Sequence, residues 1–154
     1  MKPARSRNGR RTSRAPGAVL VELALVLPLL VILLLTSVDL GLILWEYQVL
    51  QNAAREGARF SALPRNWISP WNPIATDTDI KQRVLDYLQQ EGIMTVVAAD
   101  ITVNQQFPIP AGAITPFGSE VTVTYNRALL VTGAGLLPFA TMTLTGRAVF
   151  RNLY

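Results

Sequence analysis

Sixteen consecutive uncharged residues, Leu23–Val38, separate Glu22 from Asp39, and nearly all of them are aliphatic. Counted back to Ala18, the segment is roughly 31 Å long as a helix, about one hydrocarbon core. Past Asp39 the pattern does not break; it turns amphipathic. Ile43, Tyr47, Leu50, Ala54 and Ala58 recur at three- and four-residue intervals, with Glu46, Gln48, Gln51, Arg55 and Arg59 between them. After Pro28 no proline intervenes until Pro64. The spacing predicts one helix of about 45 residues, half in lipid and half standing out of it. Pro28 predicts a kink, which lipid-embedded helices tolerate when neighbouring groups satisfy the freed carbonyl. Trp45 and Tyr47 suit headgroup depth at the outer boundary.

Charge divides the chain at the start of this helix. The first 17 residues hold six bases, Lys2, Arg5, Arg7, Arg10, Arg11 and Arg14, and no acid. The remainder carries eight bases against ten acids, so the sequence pI of about 10.0 belongs to the leader. No basic patch survives beyond it to serve as a nucleic-acid surface; the cluster reads instead as a signal that keeps the N-terminus in the cytoplasm. A secretory signal peptide is the rival reading, but its apolar core should be shorter, whereas here apolarity continues to Trp45. Cysteine and histidine are both absent. That removes disulfides, thiolate nucleophiles, the Ser-His-Asp arrangement and the common zinc sites. No catalytic residue, metal ligand, cofactor or small-molecule substrate is assigned.

Ala53, Ala54, Gly57 and Ala58 are small, and Ala54 and Ala58 lie four apart on one face. Such residues let another element approach closely, and Gly57 costs about 1 kcal/mol against alanine in a helix. The close partner is either a second subunit or the domain's own core. Pro64–Thr76 is a proline-rich loop bearing Trp67 and Trp71, which anchor to the domain, lie on lipid or meet a partner. Thr76 and Asp79 have capping-box spacing ahead of the stripe Ile80, Val84, Leu85 and Leu88, and Gly92 is placed to end that helix.

Beyond Gly92 the period changes to two. Ile101, Val103 and Gln105 alternate with polar neighbours, as do Val121, Val123 and Tyr125, and a third strand is expected in Thr141–Arg151, with Gly146 as a bulge. Ala128–Ala140 is uncharged, too short to span a bilayer, and reads as a loop or short helix on the sheet or the membrane. Gly133-Ala134-Gly135 lacks the rest of a dinucleotide fingerprint.

Two pieces carry a family resemblance. Gly17-Ala-Val-Leu-Val-Glu22-Leu23, behind a basic leader, looks like the processing site of type IV pilins and pseudopilins. The run VELALVLPLL followed by YQVLQNAAREGAR resembles the TadE-like proteins of tight-adherence (Flp) pilus systems. Residue 23 is leucine where that family more often has an aromatic. The resemblance implies a minor pseudopilin, cut between Gly17 and Ala18 by a separate prepilin peptidase and needed to assemble or anchor the pilus. It implies that Glu22 serves an α-amine, its own or a neighbour's; the plain alternative is that Glu22 snorkels to the cytoplasmic interface.

The expected organisation is therefore a leader (1–17), a transmembrane helix (18–45), its extracytoplasmic continuation (46–63) and a small α+β domain (64–154) with one further helix and an antiparallel sheet of about three strands. The expected partners are the membrane, the peptidase, and other pilin subunits with their assembly machinery. The expected site is a single-pass inner-membrane protein with its N-terminus in the cytoplasm. A membrane-anchored extracytoplasmic binding or sensor domain, unrelated to pili, is the alternative.

Overall fold

A computed structural model describes residues 16–64, 74–110, 116–130 and 141–153. The leader, the Trp67/Trp71 loop and most of the apolar 128–140 stretch lie outside the described residues. The first element, α1 (Pro16–Ala62), is a single helix whose assignment runs through Pro28. α2 (Asp77–Gln90) follows, then a short 3₁₀ turn at Ala98–Asp100 and three strands, β1 (Ile101–Pro108), β2 (Phe117–Ala128) and β3 (Thr141–Arg151). The strands form an antiparallel sheet in the order β1-β2-β3, so the fold is α+β.

Local sequence accounts for the ends of α2. Thr76 Oγ1 accepts from the Asp79 amide, and the Asp79 carboxylate accepts from the Thr76 amide, which satisfies two orphan donors reciprocally. Gly92, at φ 85°, terminates the helix. Its amide donates to Gln89 O and the Ile93 amide to Leu88 O, the paired bonds of a Schellman ending.

The core lies between the C-terminal half of α1, α2 and one face of the sheet. α1 contributes Val49, Leu50, Ala53, Ala54 and Ala58; α2 contributes Ile80, Val84 and Leu88. The sheet adds Ile101, Val121, Val123, Leu144 and Ala148. The cross-strand register places Ile101, Val123 and Gly146 in one row and Val103, Val121 and Ala148 in the next.

Two sequence expectations are corrected. Gly146 is not a bulge, because β2 and β3 pair without interruption from Gly118/Arg151 to Ala128/Thr141. The irregularity falls in β1, between Asn104 and Phe107. Gly146 is needed for a different reason: a Cβ there would overlap the backbone of Leu50 and Gln51, so glycine lets α1 lie directly on β3. Tyr47, expected on the buried stripe, is exposed, and Glu46 takes the inward position instead.

Candidate functional site

Along α1 the surroundings of the side chains change twice. From Gly17 to Val38 nearly every residue is exposed, although almost all are apolar. This is the one helix among the described residues long and apolar enough to cross a membrane. Gly17, Ala18 and Glu22 all sit on this bare part. A Cβ on Gly17 would meet nothing within 4 Å, so packing among the described residues makes no demand for glycine there.

The next turns, Asp39 to Glu46, are arranged inside out. Asp39 is 4% exposed and Glu46 9%, while Leu40 is 58% and Leu44 55% exposed. The two acids lie seven residues apart on one face, and both turn towards Arg127 near the end of β2. Arg127 Nη2 is 3.2 Å from Asp39 Oδ1, and Nη1 is 2.8 Å from Glu46 Oε2. The Asp39 contact is a hydrogen bond; the Glu46 contact is close in distance but off the hydrogen-bond angle, so it acts as charge against charge. Three buried ionisable groups thus hold the sheet to the helix where α1 leaves its bare segment. Removing an ion from water costs several kcal/mol, and only close partners offset it.

Sequence reading took Asp39 only as the end of the uncharged run and missed this cluster. The signal was present in two periodicities. Asp39 and Glu46 fall in the helical series with Ile43, Leu50 and Ala54, and Arg127 continues the inward series Val121, Val123 and Tyr125. Each pattern puts a charge where an apolar residue belongs, and charges of opposite sign on two inward faces point to each other.

Above Glu46 the ordinary pattern returns, with Gln48, Asn52, Arg55 and Arg59 outside and Leu50, Ala53, Ala54 and Ala58 inside. The small-residue face is occupied by the chain's own elements. A Cβ on Gly57 would stand 2.5 Å from Val84 Cγ2 and 3.4 Å from Val121 Cγ1, so α2 and β2 both crowd that position. Ala54 and Ala58 are fully buried in the same core. Arg83 of α2 adds an ion pair to Glu56 at 2.7 Å on the rim of this contact. Among the described residues no group of three or more acids, histidines or cysteines is placed to hold a metal ion.

A bare apolar helix continuing into a helix-and-sheet domain, the one candidate span among the described residues, points to single-pass membrane anchoring of an α+β protein. Residues 17–59 match the family model described as TadE-like protein, so the likeness follows α1 almost from end to end and leaves α2 and the sheet outside it. No curated protein and no solved structure matches the chain.

Proposed function

We propose that the chain is a minor pseudopilin that assembles or anchors a tight-adherence (Flp) pilus and has no catalytic activity of its own. The observation that carries this reading is the TadE-like match over residues 17–59, which spans both the bare and the packed parts of α1. In this reading α1 enters the membrane with the basic leader inside, because six bases precede Gly17 and the rest of the chain is net acidic. A prepilin peptidase cuts between Gly17 and Ala18 at the cytoplasmic face. Gly17 leaves the backbone open for that protease, in keeping with a glycine that packing among the described residues does not require. Glu22, one turn beyond the new terminus, offsets the charge of an α-amine, either its own or that of a neighbouring subunit. Ala54, Gly57 and Ala58 keep α1 close to α2 and the sheet, so that the domain is fixed rigidly to the helix that carries it. The domain then lies outside the cytoplasm, with other pilin subunits and the assembly machinery as partners.

The test is the N-terminus of the protein from native membranes, read by mass spectrometry with an active prepilin peptidase present. The expected sequence begins at Ala18, and Gly17→Leu should leave the leader attached. An N-terminus at Met1 or Lys2, together with indifference to Gly17→Leu, would turn the assignment to a membrane-anchored binding or sensor domain.

A further inference from the structure

Depth along α1 can be read from which side chains are hidden. Where the surroundings are water, charges face out and leucines face in; from Val49 to Arg59 the chain obeys that rule. From Asp39 to Trp45, Ile43 apart, it obeys the opposite one. Asp39 is buried, while Leu40, Leu42, Leu44 and Trp45 are exposed. Polar groups turned inward onto partners and apolar groups turned outward are what a lipid surrounding demands. The reversal between Glu46 and Gln48 therefore marks the water boundary. Ala18 to Trp45 covers about 40 Å of helix, the thickness of a bilayer with its headgroup layers.

The sheet reaches below that boundary. β2 runs antiparallel to α1: Ser119, near its start, bonds Ser61 at 2.7 Å, and Arg127, near its end, bonds Asp39. Asp39 lies six residues before Trp45, roughly 9 Å deeper along the axis. The β2–β3 end of the domain accordingly sits at the depth of Asp39, inside the zone where α1 shows leucines to its surroundings. It has the composition for that position. Between Arg127 and Arg147 the chain has no charged residue, and Arg127 itself is occupied by two acids. At this end Leu130 is 48% exposed and Met142, paired with Arg127 across the strands, is 43% exposed, and the exposed polar side chains beside them, Asn126, Thr141 and Thr143, are uncharged.

We propose that the β2–β3 end of the domain is a lipid-contacting surface. Leu130 and Met142 rest at the boundary between headgroups and acyl chains, in continuity with Leu40 and Leu44 of α1. The domain is thus seated in the outer leaflet rather than held clear of it on a stalk. The Asp39–Arg127–Glu46 cluster is what permits this seating, because it removes the charges at that depth from contact with lipid. The inference rests on the reading of α1 as a membrane span and adds a second point of contact to it.

The absence of cysteine makes the test direct. Single cysteines at Leu29, Leu40, Leu130, Met142 and Gln106 would carry a nitroxide label, in full-length protein reconstituted at one copy per phosphatidylcholine nanodisc. Collision with oxygen, which concentrates in lipid, is compared with collision with a water-soluble nickel chelate. Labels at Leu130 and Met142 should favour oxygen several-fold, as the label at Leu40 does, while the label at Gln106 favours nickel. If the label at Leu29 favours oxygen but those at Leu130 and Met142 favour nickel, the span stands and the seating is wrong. Labels at Leu130 and Met142 shielded from both reagents would mean protein covers that end, which also overturns the proposal. Nickel access at Leu29 would overturn the span itself, and the seating with it.

Discussion

The sheet is fastened to α1 at both ends, by different chemistry. At the bare end of the helix the fastening is ionic, with Arg127 set between Asp39 and Glu46 and nearly removed from solvent. At the far end it is neutral. Ser61 Oγ donates to Ser119 Oγ, Ser119 Oγ donates to Asn152 Oδ1 at 2.9 Å, and Asn152 Nδ2 donates to the Gln105 carbonyl at 2.9 Å. The Leu153 amide closes the group on the Ala62 carbonyl. A hydroxyl left without a partner loses about 1–3 kcal/mol, whereas an unpaired buried charge loses more and has no neutral form that fits arginine's chemistry. The neutral end therefore clips the C-terminal tail in place, while the ionic end makes separation of helix and sheet far more costly.

Four substitutions would break or sharpen this contrast, each measured as the shift in urea midpoint of the full-length protein in detergent micelles. Arg127→Ala should have the largest effect, a loss of about 3–5 kcal/mol, because it strands two buried carboxylates. Combining Arg127→Met with Asp39→Asn and Glu46→Gln should recover most of that loss, since no charge is then left buried. If Arg127→Ala costs no more than a hydroxyl deletion at the other end, the contrast fails. Gly146→Ala comes next, at about 2–3 kcal/mol, because its methyl group meets the Leu50 carbonyl, which belongs to helix backbone and cannot rotate away. Ser119→Ala should cost about 1–2 kcal/mol by leaving Ser61 and Asn152 each short of a partner. Proteolytic clipping of the C-terminal tail should increase in this variant and not in Arg127→Ala at matched stability. Thr76→Ala removes only the α2 cap and should cost about 1 kcal/mol, a baseline against which both ends are judged.

The parts of the fold that were legible in sequence are those written in adjacent residues. The α2 capping box needed only Thr76 and Asp79, and its ending only Gly92 after the stripe. The long helix and the three strands announced themselves by period. The features that escaped are tertiary. Gly146 is glycine because of Leu50, far away in the chain, and a glycine among strand residues looks the same whether it bulges or admits a helix. Arg127 and Asp39 are separated by 88 positions, and neither alone stands out from a surface charge. Ala54, Gly57 and Ala58 were visible as a close-packing face, but which partner lies on it depends on where α2 returns. Gly17, Ala18 and Glu22, all exposed, pack against no core residue among the described residues, so their pattern was readable only as a motif.

One small contact bears on what can join the sheet. The outer edge of β3 has no further strand beside it among the described residues, and at its middle the carboxamide of Gln51 takes a strand's place. Gln51 Nε2 donates to the Thr145 carbonyl at 3.5 Å, and its Oε1 accepts from the Arg147 amide at 3.4 Å. Both bonds are long, yet the side chain stands where an incoming strand would have to lie. An eleven-residue edge is thereby cut into two short ones, each with few free backbone groups to offer. Recruitment of another chain by continuing the sheet is discouraged along this edge. The sheet is thus closed from within its own chain, by a side chain of the helix on which it rests.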